Sequence, residues 1–140
     1  MPTIQEIEQE IIEDFELFDD WEGKYDYLIG LGKDLPLIED QFKTDEYLVR
    51  GCQSRVWLNA SHEGNKVFFK ADSDAIMTKG MVALLVKILS GQTAQDIVDT
   101  ELHFIDKIGL KEQLSQNRSS GLMSMIKQMK LYALALSKSN

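Results

Sequence analysis

The chain has 140 residues, with 15 basic and 23 acidic side chains and a net charge of −8. A chain of this length builds one hydrophobic core, so we expect a single domain over residues 1–140. The acidic balance disfavours nucleic acid and anionic membranes as partners. Because Cys52 is the only cysteine and there are two histidines, an internal disulfide and a four-ligand Cys/His zinc site are excluded.

The compartment is predicted from two segments. The N-terminus has neither the basic residues nor the apolar stretch of a signal peptide. The most apolar segment, residues 81–89, is too short to span a bilayer and contains Lys87. We therefore expect a cytoplasmic protein that is not embedded in a membrane.

Charge is unevenly distributed along the chain. Residues 1–46 carry 3 basic and 15 acidic side chains, whereas residues 47–140 carry 12 basic and 8 acidic ones. The acidic part is either a solvated face of a helical hairpin or a docking surface for a partner, and charge alone does not choose between them.

The first third predicts two helices. Thr3 followed by Glu6 is a capping-box pattern, and Asp19 followed by Glu22 repeats it. The second helix should end near the glycines within residues 30–32. The first helix is predicted to be amphipathic, because its apolar residues recur at helical spacing: Ile4, Ile7, Ile11, Ile12, Phe15 and Phe18.

The middle of the chain predicts an antiparallel hairpin. Apolar and polar side chains alternate over residues 56–60, and after a turn residues 66–70 are extended. Residues 47–49 could add a short strand, which would place Gly51 and Cys52 on a bend between two sheet elements.

A buried helix is predicted next. Residues 72–74 end the second strand and contain acids that can cap a helix over residues 76–89. This helix is apolar on more than one face, which is typical of a helix inside a core.

Further helices are predicted towards the C-terminus. Thr93 with Asp96 begins a short helix, residues 105–114 form another that is interrupted near Gly109, and the polar segment 117–121 precedes a last one. One side of the last helix carries Leu122, Met125, Ile126, Met129, Tyr132, Ala133 and Leu136. Helices on either side of one small antiparallel sheet indicate an α+β fold.

Cys52 is the most reactive group in the chain. Gly51 frees the backbone beside it, and Arg50 and Arg55 place positive charge nearby, which favours the nucleophilic thiolate. The alternative is an inert, buried apolar cysteine. A hydrolase would need a base in contact with the thiol, and the sequence gives neither His62 nor His103 an orienting partner.

Residues 50–57 read Arg-Gly-Cys-Gln-Ser-Arg-Val-Trp, which resembles the G-C-Q-S-x-V-W segment of the SufE family, sulfur acceptors of iron–sulfur cluster assembly that include the CsdE-type proteins. Other segments resemble that family in the same order. They are Trp-Glu-x-Lys-Tyr at 21–25, Asp-Ser-Asp-Ala at 72–75 with Lys-Gly at 79–80, Gln-Asp-Ile-Val at 95–98 and Arg-Ser-x-Gly-Leu at 118–122. The resemblance covers nearly the whole chain.

The resemblance implies a fold similar to the IscU scaffold and a carrier function. A SufS- or CsdA-like cysteine desulfurase would pass sulfane sulfur to Cys52 as a persulfide, and a SufBCD-like scaffold complex would receive it. The chain would be a non-enzymatic activator with no cofactor, because pyridoxal phosphate (PLP) belongs to the desulfurase. It would be a monomer or a weak homodimer.

Four further residues are candidates for supporting this chemistry. Gly51 supplies a bend, and Gln53 could donate a hydrogen bond near the sulfur. Asp74 either caps the following helix or helps to place the cysteine loop or a partner. Arg118 either pairs with the acidic N-terminal half or stabilises a thiolate or persulfide. Trp57, Met123, Met125 and Met129 are assigned to the core rather than to a contact surface.

Three other functions are kept as alternatives. The chain could regulate a desulfurase by surface contact without accepting sulfur. It could be a cluster scaffold, although one cysteine supplies too few ligands. It could be a thiol hydrolase that works without a partner.

Overall fold

The structure is a computed structural model that describes residues 2–36, 38–52, 54–110 and 116–137, with the backbone alone for 116–119. Its strands are β1 Val56–Glu63, β2 Lys66–Ser73 and β3 Gln92–Thr93. Its α-helices are α1 Ile4–Glu16, α2 Trp21–Lys33, α3 Ile76–Leu89, α4 Ala94–Asp99, α5 Phe104–Lys107 and α6 Gln116–Ser137. The predicted α+β class is confirmed.

The helix α1 begins as predicted and ends earlier. The side chain of Thr3 accepts a hydrogen bond from the backbone of Glu6, and the Glu6 side chain accepts one from the backbone of Thr3, which completes the capping box. The helix ends at Glu16 rather than Phe18. Phe18 lies in the connection to α2, with its ring 5.6 Å from that of Tyr27.

The N-cap of α2 differs from the prediction, whereas its end lies near Gly32, as predicted. The N-cap is Asp20 rather than Asp19, and its carboxylate accepts the Gly23 N–H at 2.9 Å. The helix continues past both predicted glycines to Lys33. Gly32 does not terminate the helix but packs against α3, where a Cβ on Gly32 would lie 3.0 Å from the Gly80 nitrogen. This glycine therefore permits two helices to approach closely.

The predicted hairpin is confirmed, and the third strand lies elsewhere. β1 and β2 pair antiparallel from Val56 opposite Ser73 to Glu63 opposite Lys66. β3 adds to the other side of β2. Residues 47–49 do not form a strand: a 3-10 turn, Asp45–Tyr47, is followed by one bridge between Leu48 and Trp57.

The helix α3 is buried as predicted but is not capped by an acid. Its N-cap is Ala75, which has no side chain to accept a hydrogen bond. Its buried residues are Thr78, Gly80, Met81, Val82, Ala83, Leu84, Leu85, Val86, Ile88 and Leu89. The buried apolar residues from Met81 onward belong to one hydrophobic cluster together with residues of the sheet and of the other helices.

The C-terminal helices are confirmed in part. Thr93 caps α4 by accepting the Asp96 N–H. Of the helix predicted over residues 105–114, the structure shows α5 up to Lys107 and then the predicted interruption, at Gly109, whose φ is +74°. Positions 111–115 lie outside the described residues. α6 begins at Gln116, so the segment 117–121 is helical and not a loop.

The assignment of Trp57 and the methionines to the core is partly confirmed. Met125 and Met129 are each 2% exposed, but Met123 is 56% exposed and Trp57 is half-buried.

No helix among the described residues is long and apolar enough to cross a membrane.

The buried carboxylate of Glu8 joins α1 to α5. It accepts hydrogen bonds from the backbone N–H groups of His103 and Phe104, the latter at 2.9 Å. These are donors at the start of a helix that would otherwise have no partner. One acid of the acidic N-terminal region is therefore used inside the fold rather than on a solvated face.

Candidate functional site

The cysteine lies on a loop whose two ends are held together. The Val49 N–H donates to the Val56 carbonyl at 2.8 Å, beside the bridge between Leu48 and Trp57. The chain therefore leaves and rejoins the sheet at nearly the same place. Residues 50–55 form the loop between these contacts, which we call the cysteine loop.

Arg55, at the end of the cysteine loop, is fixed by the segment that follows β2. The Asp74 carboxylate accepts the Arg55 N–H at 3.0 Å, and the Asp74 N–H donates to the Arg55 carbonyl at 3.2 Å. The Ser73 hydroxyl donates to the same carbonyl at 2.8 Å. Asp74 thus contacts the cysteine loop, and the helix-capping interpretation of this residue is wrong.

Asp72 is also used in tertiary contacts rather than in capping. Its carboxylate forms ion pairs with Lys43 at 3.0 Å and with Lys79 at 3.2 Å. Burial alone would raise the pKa of Asp72, but hydrogen bonds from Lys43, the Ser73 N–H and Lys79 hold this pKa below its ordinary value. This group joins the end of β2 to α3 and to the segment before the cysteine loop.

Gly51 has a conformation and a contact that both favour glycine. Its φ is +93°, a backbone conformation that other residues rarely adopt. A Cβ on Gly51 would lie 2.4 Å from the Ser124 hydroxyl oxygen of α6. The predicted bend is present, and it brings the cysteine loop against α6.

Cys52 is half-buried against α6. Its Sγ donates a hydrogen bond to the Gly121 carbonyl at 3.5 Å. A Cβ on Gly121 would lie 3.5 Å from Sγ, at ordinary van der Waals distance, so the helix backbone packs directly on the cysteine. The thiol also lines an open pocket of about 250 Å³ formed by Leu48, Val49, Arg50, Gly51, Cys52, Ser54 and Arg55.

The electrostatic environment of the thiol differs from the prediction. Burial raises the pKa of Cys52 above its ordinary value. Arg50 and Arg55 do not offset this effect, because both side chains are exposed. At rest the thiol is therefore protonated to a greater extent than a free cysteine, which lowers its nucleophilicity.

The remaining sequence candidates are distributed as follows. Gln53 lies outside the described residues. The backbone of Arg118 lies in the first turn of α6 rather than before the helix, and its side chain is outside the described part of the structure. His62 and His103 are exposed, and neither is hydrogen-bonded to the thiol.

Sequence reasoning assigned no site role to Gly121 and Ser124. Gly121 belongs to one of the segments that resemble the SufE family, and this resemblance could have marked it as a site residue. Ser124 carries no such signal, because only the folded backbone brings it to Gly51.

Across the described ranges no group of three His, Cys, Asp or Glu residues is arranged to hold a metal ion.

The family model for the SufE Fe-S metabolism associated domain matches residues 9–133. The chain belongs to the SufE family. This membership confirms the resemblance found in the sequence and connects the chain with Fe-S metabolism.

Named SufE relatives support this assignment. An uncharacterized SufE-like protein of Rhizobium etli is 41% identical over 126 residues, covering 86% of this chain and 85% of the relative. SufE-like protein 1, chloroplastic/mitochondrial, of Arabidopsis thaliana is 42% identical over 129 residues, which is 91% of this chain. The chain spans 35% of the length of that Arabidopsis protein.

A solved structure shows the same fold. A hypothetical protein from Thermus thermophilus, determined in solution, superposes with a TM-score of 0.77 over 92% of this chain and 94% of that one, at 20% identity. At this identity the likeness supports the architecture of the SufE domain and not a function.

Proposed function

We propose that this SufE-family chain is a sulfur carrier that accepts sulfane sulfur on Cys52 from the active-site cysteine of a PLP-dependent cysteine desulfurase. The Cys52 thiolate attacks the outer sulfur of the desulfurase persulfide. One S–S bond forms and another breaks, so Cys52–SH and enzyme–S–SH become Cys52–S–SH and enzyme–SH without net oxidation. The proton lost by Cys52 is balanced by the one that the enzyme thiol gains.

The observation that carries the proposal is the placement of the family's motif cysteine on a closed loop, half-buried against α6. Exchange between thiols and persulfides requires access for the attacking sulfur and a thiolate. Burial and the raised pKa of Cys52 limit both at rest, which protects the thiol from oxidants. Because Cys52 is half-buried and protonated at rest, the partner must make its thiol accessible before sulfur can be transferred.

The chain's other proposed properties follow from this function. PLP stays with the desulfurase, and this chain carries no cofactor. The persulfide is delivered to a SufBCD-like scaffold complex, and the chain is a monomer or a weak homodimer. A cytoplasmic location is kept as a prediction, although the Arabidopsis relative is named as chloroplastic/mitochondrial.

The test is to incubate the chain with a purified cysteine desulfurase and cysteine, followed by mass spectrometry under non-reducing conditions. We expect one additional, reductant-labile sulfur on Cys52. The Cys52→Ser variant should gain none. An equal gain in the variant, or no gain in the wild type, would contradict the proposal.

The same variant separates the carrier from a regulator that only binds. A regulator would raise desulfurase turnover equally well with serine at position 52. A carrier removes the product persulfide, so the stimulation should disappear in Cys52→Ser. Alanine production by the desulfurase is the measurement.

A further inference from the structure

The first turn of α3 forms one side of the cysteine loop. Asp74, just before the helix, holds Arg55, and Thr78 within the first turn donates to the Ser54 hydroxyl at 3.5 Å. Between these two contacts lies Ile76, whose side chain is 67% exposed. A large, exposed apolar side chain therefore lies in the segment at the start of α3 whose neighbouring residues contact the cysteine loop.

Any enzyme that passes sulfur to Cys52 must cover this region. The donor and acceptor sulfurs have to approach to bonding distance, while a specific interface covers about 800 Å² on each partner. A patch of that size centred on the cysteine loop includes the first turn of α3, which contacts the loop. Ile76 is the exposed large apolar residue of that first turn.

The charges around Ile76 indicate what the partner must offer. Arg50 and Arg55 are exposed, and neither side chain forms a salt bridge with any other described residue. Exposed Asp74 uses its carboxylate to hold the loop. An exposed apolar residue at the start of α3, together with two exposed cations on the cysteine loop, fits a partner surface with an apolar depression and a carboxylate-bearing rim.

We propose that Ile76 is the apolar anchor of the desulfurase docking surface, with Arg50 and Arg55 facing carboxylates of that enzyme. This inference rests on the proposed function and adds the surface and the chemistry of the partner. Interfaces depend strongly on a few buried anchors surrounded by polar residues, so one substitution should have a large effect.

The experiment compares Ile76→Asp with two control variants. An acidic residue in the first turn of a helix interacts favourably with the helix dipole, so Ile76→Asp should fold. Leu17 and Leu131 are 79% and 48% exposed and lie away from the residues of α3 and α6 that contact the cysteine loop, so Leu17→Asp and Leu131→Asp add the same charge elsewhere. Affinity is measured by calorimetry with a desulfurase that loads the wild-type chain.

We expect Ile76→Asp to weaken binding at least tenfold and Ile76→Leu to retain affinity. Leu17→Asp and Leu131→Asp should remain within about twofold of the wild type. Arg50→Glu should weaken binding more at low salt than at high salt, because screening reduces the charge effect. Unchanged binding by Ile76→Asp, or an equal loss in either control, would overturn the inference.

A second measurement separates docking from the chemistry of Cys52. Glutathione persulfide can donate sulfur without a protein interface, giving Cys52–S–SH and glutathione. Ile76→Asp should be loaded by this donor at the wild-type rate and by the desulfurase more slowly. Equal slowing with both donors would show that Ile76 acts on the loop and not on docking. If the desulfurase fails to load the wild type, the proposed function fails instead.

Discussion

The reactivity of Cys52 is set by groups that are distant in sequence. The Gly121 carbonyl accepts the thiol hydrogen bond across 69 positions, and burial raises the pKa of the thiol. Gly51 allows the loop to reach α6 without a side chain between them. The nearby arginines, which suggested an activated thiolate, point into solvent and leave the thiol protonated at rest.

The first prediction is that Asp74→Ala exposes Cys52 more often. Losing the hydrogen bond to the Arg55 N–H should favour loop opening by about 0.5–1.5 kcal/mol, roughly two- to tenfold. Alkylation by iodoacetamide at pH 7.5 should accelerate by that factor. Asp74→Asn keeps an acceptor oxygen and should react at nearly the wild-type rate, whereas equal rates for all three proteins would contradict the role of Asp74.

At the level of elements, the contact between α2 and α3 depends on two glycines. A Cβ on Gly80 would lie 2.5 Å from the backbone oxygen of Leu28, and one on Gly32 would lie 3.0 Å from the Gly80 nitrogen. The two helix backbones are therefore closer than ordinary side chains allow. Since α3 also supplies Thr78 to the cysteine loop, this packing supports one side of the site.

The second prediction compares two glycine substitutions inside helices. Gly80→Ala should destabilise the fold by about 1–3 kcal/mol, because its methyl group meets backbone atoms that cannot move independently. Gly30→Ala in α2 meets no atom within 4 Å and should stabilise the fold by about 0.5–1 kcal/mol through helix propensity. Urea unfolding midpoints measure both, and shifts in the same direction would refute the packing argument.

At the level of the whole molecule, Asp72 connects three parts of the chain. Lys43 precedes the cysteine loop, Asp72 ends β2 and Lys79 belongs to α3. The pKa of Asp72 is lower in the folded chain than its ordinary value of 3.8. Such a carboxyl contributes stability above the unfolded pKa, and that contribution is lost as pH falls through the folded pKa.

The third prediction concerns Asp72→Asn. It should lower the free energy of unfolding at pH 7 by about 1–3 kcal/mol, since Lys43 and Lys79 lose a charged partner. The difference from wild type should shrink below pH 4, where the wild-type carboxylate also becomes protonated. Glu39→Gln removes the exposed pair with Lys70 and should change stability by less than about 1 kcal/mol. A constant effect of Asp72→Asn from pH 3 to 7 would exclude the linkage.

Local patterns in the sequence were sufficient for most of the fold. The capping box at Thr3 and the alternation in β1 depend on residues a few positions apart, so their structure followed from spacing. The cysteine motif was equally local, and the family membership that it indicated was correct. These features are encoded by residues that lie close together in the sequence, so local spacing predicts them.

By itself the sequence determined the α+β class, the family and the residue on which the proposed chemistry depends. Only the tertiary structure decided that Asp74 holds the cysteine loop instead of capping α3, that Gly32 lies within a helix contact, and that Cys52 is half-buried with a raised pKa. The reason is physical: hydrogen bonding, close approach and desolvation depend on which distant backbone arrives beside a residue. Neither residue type nor local spacing carries that information.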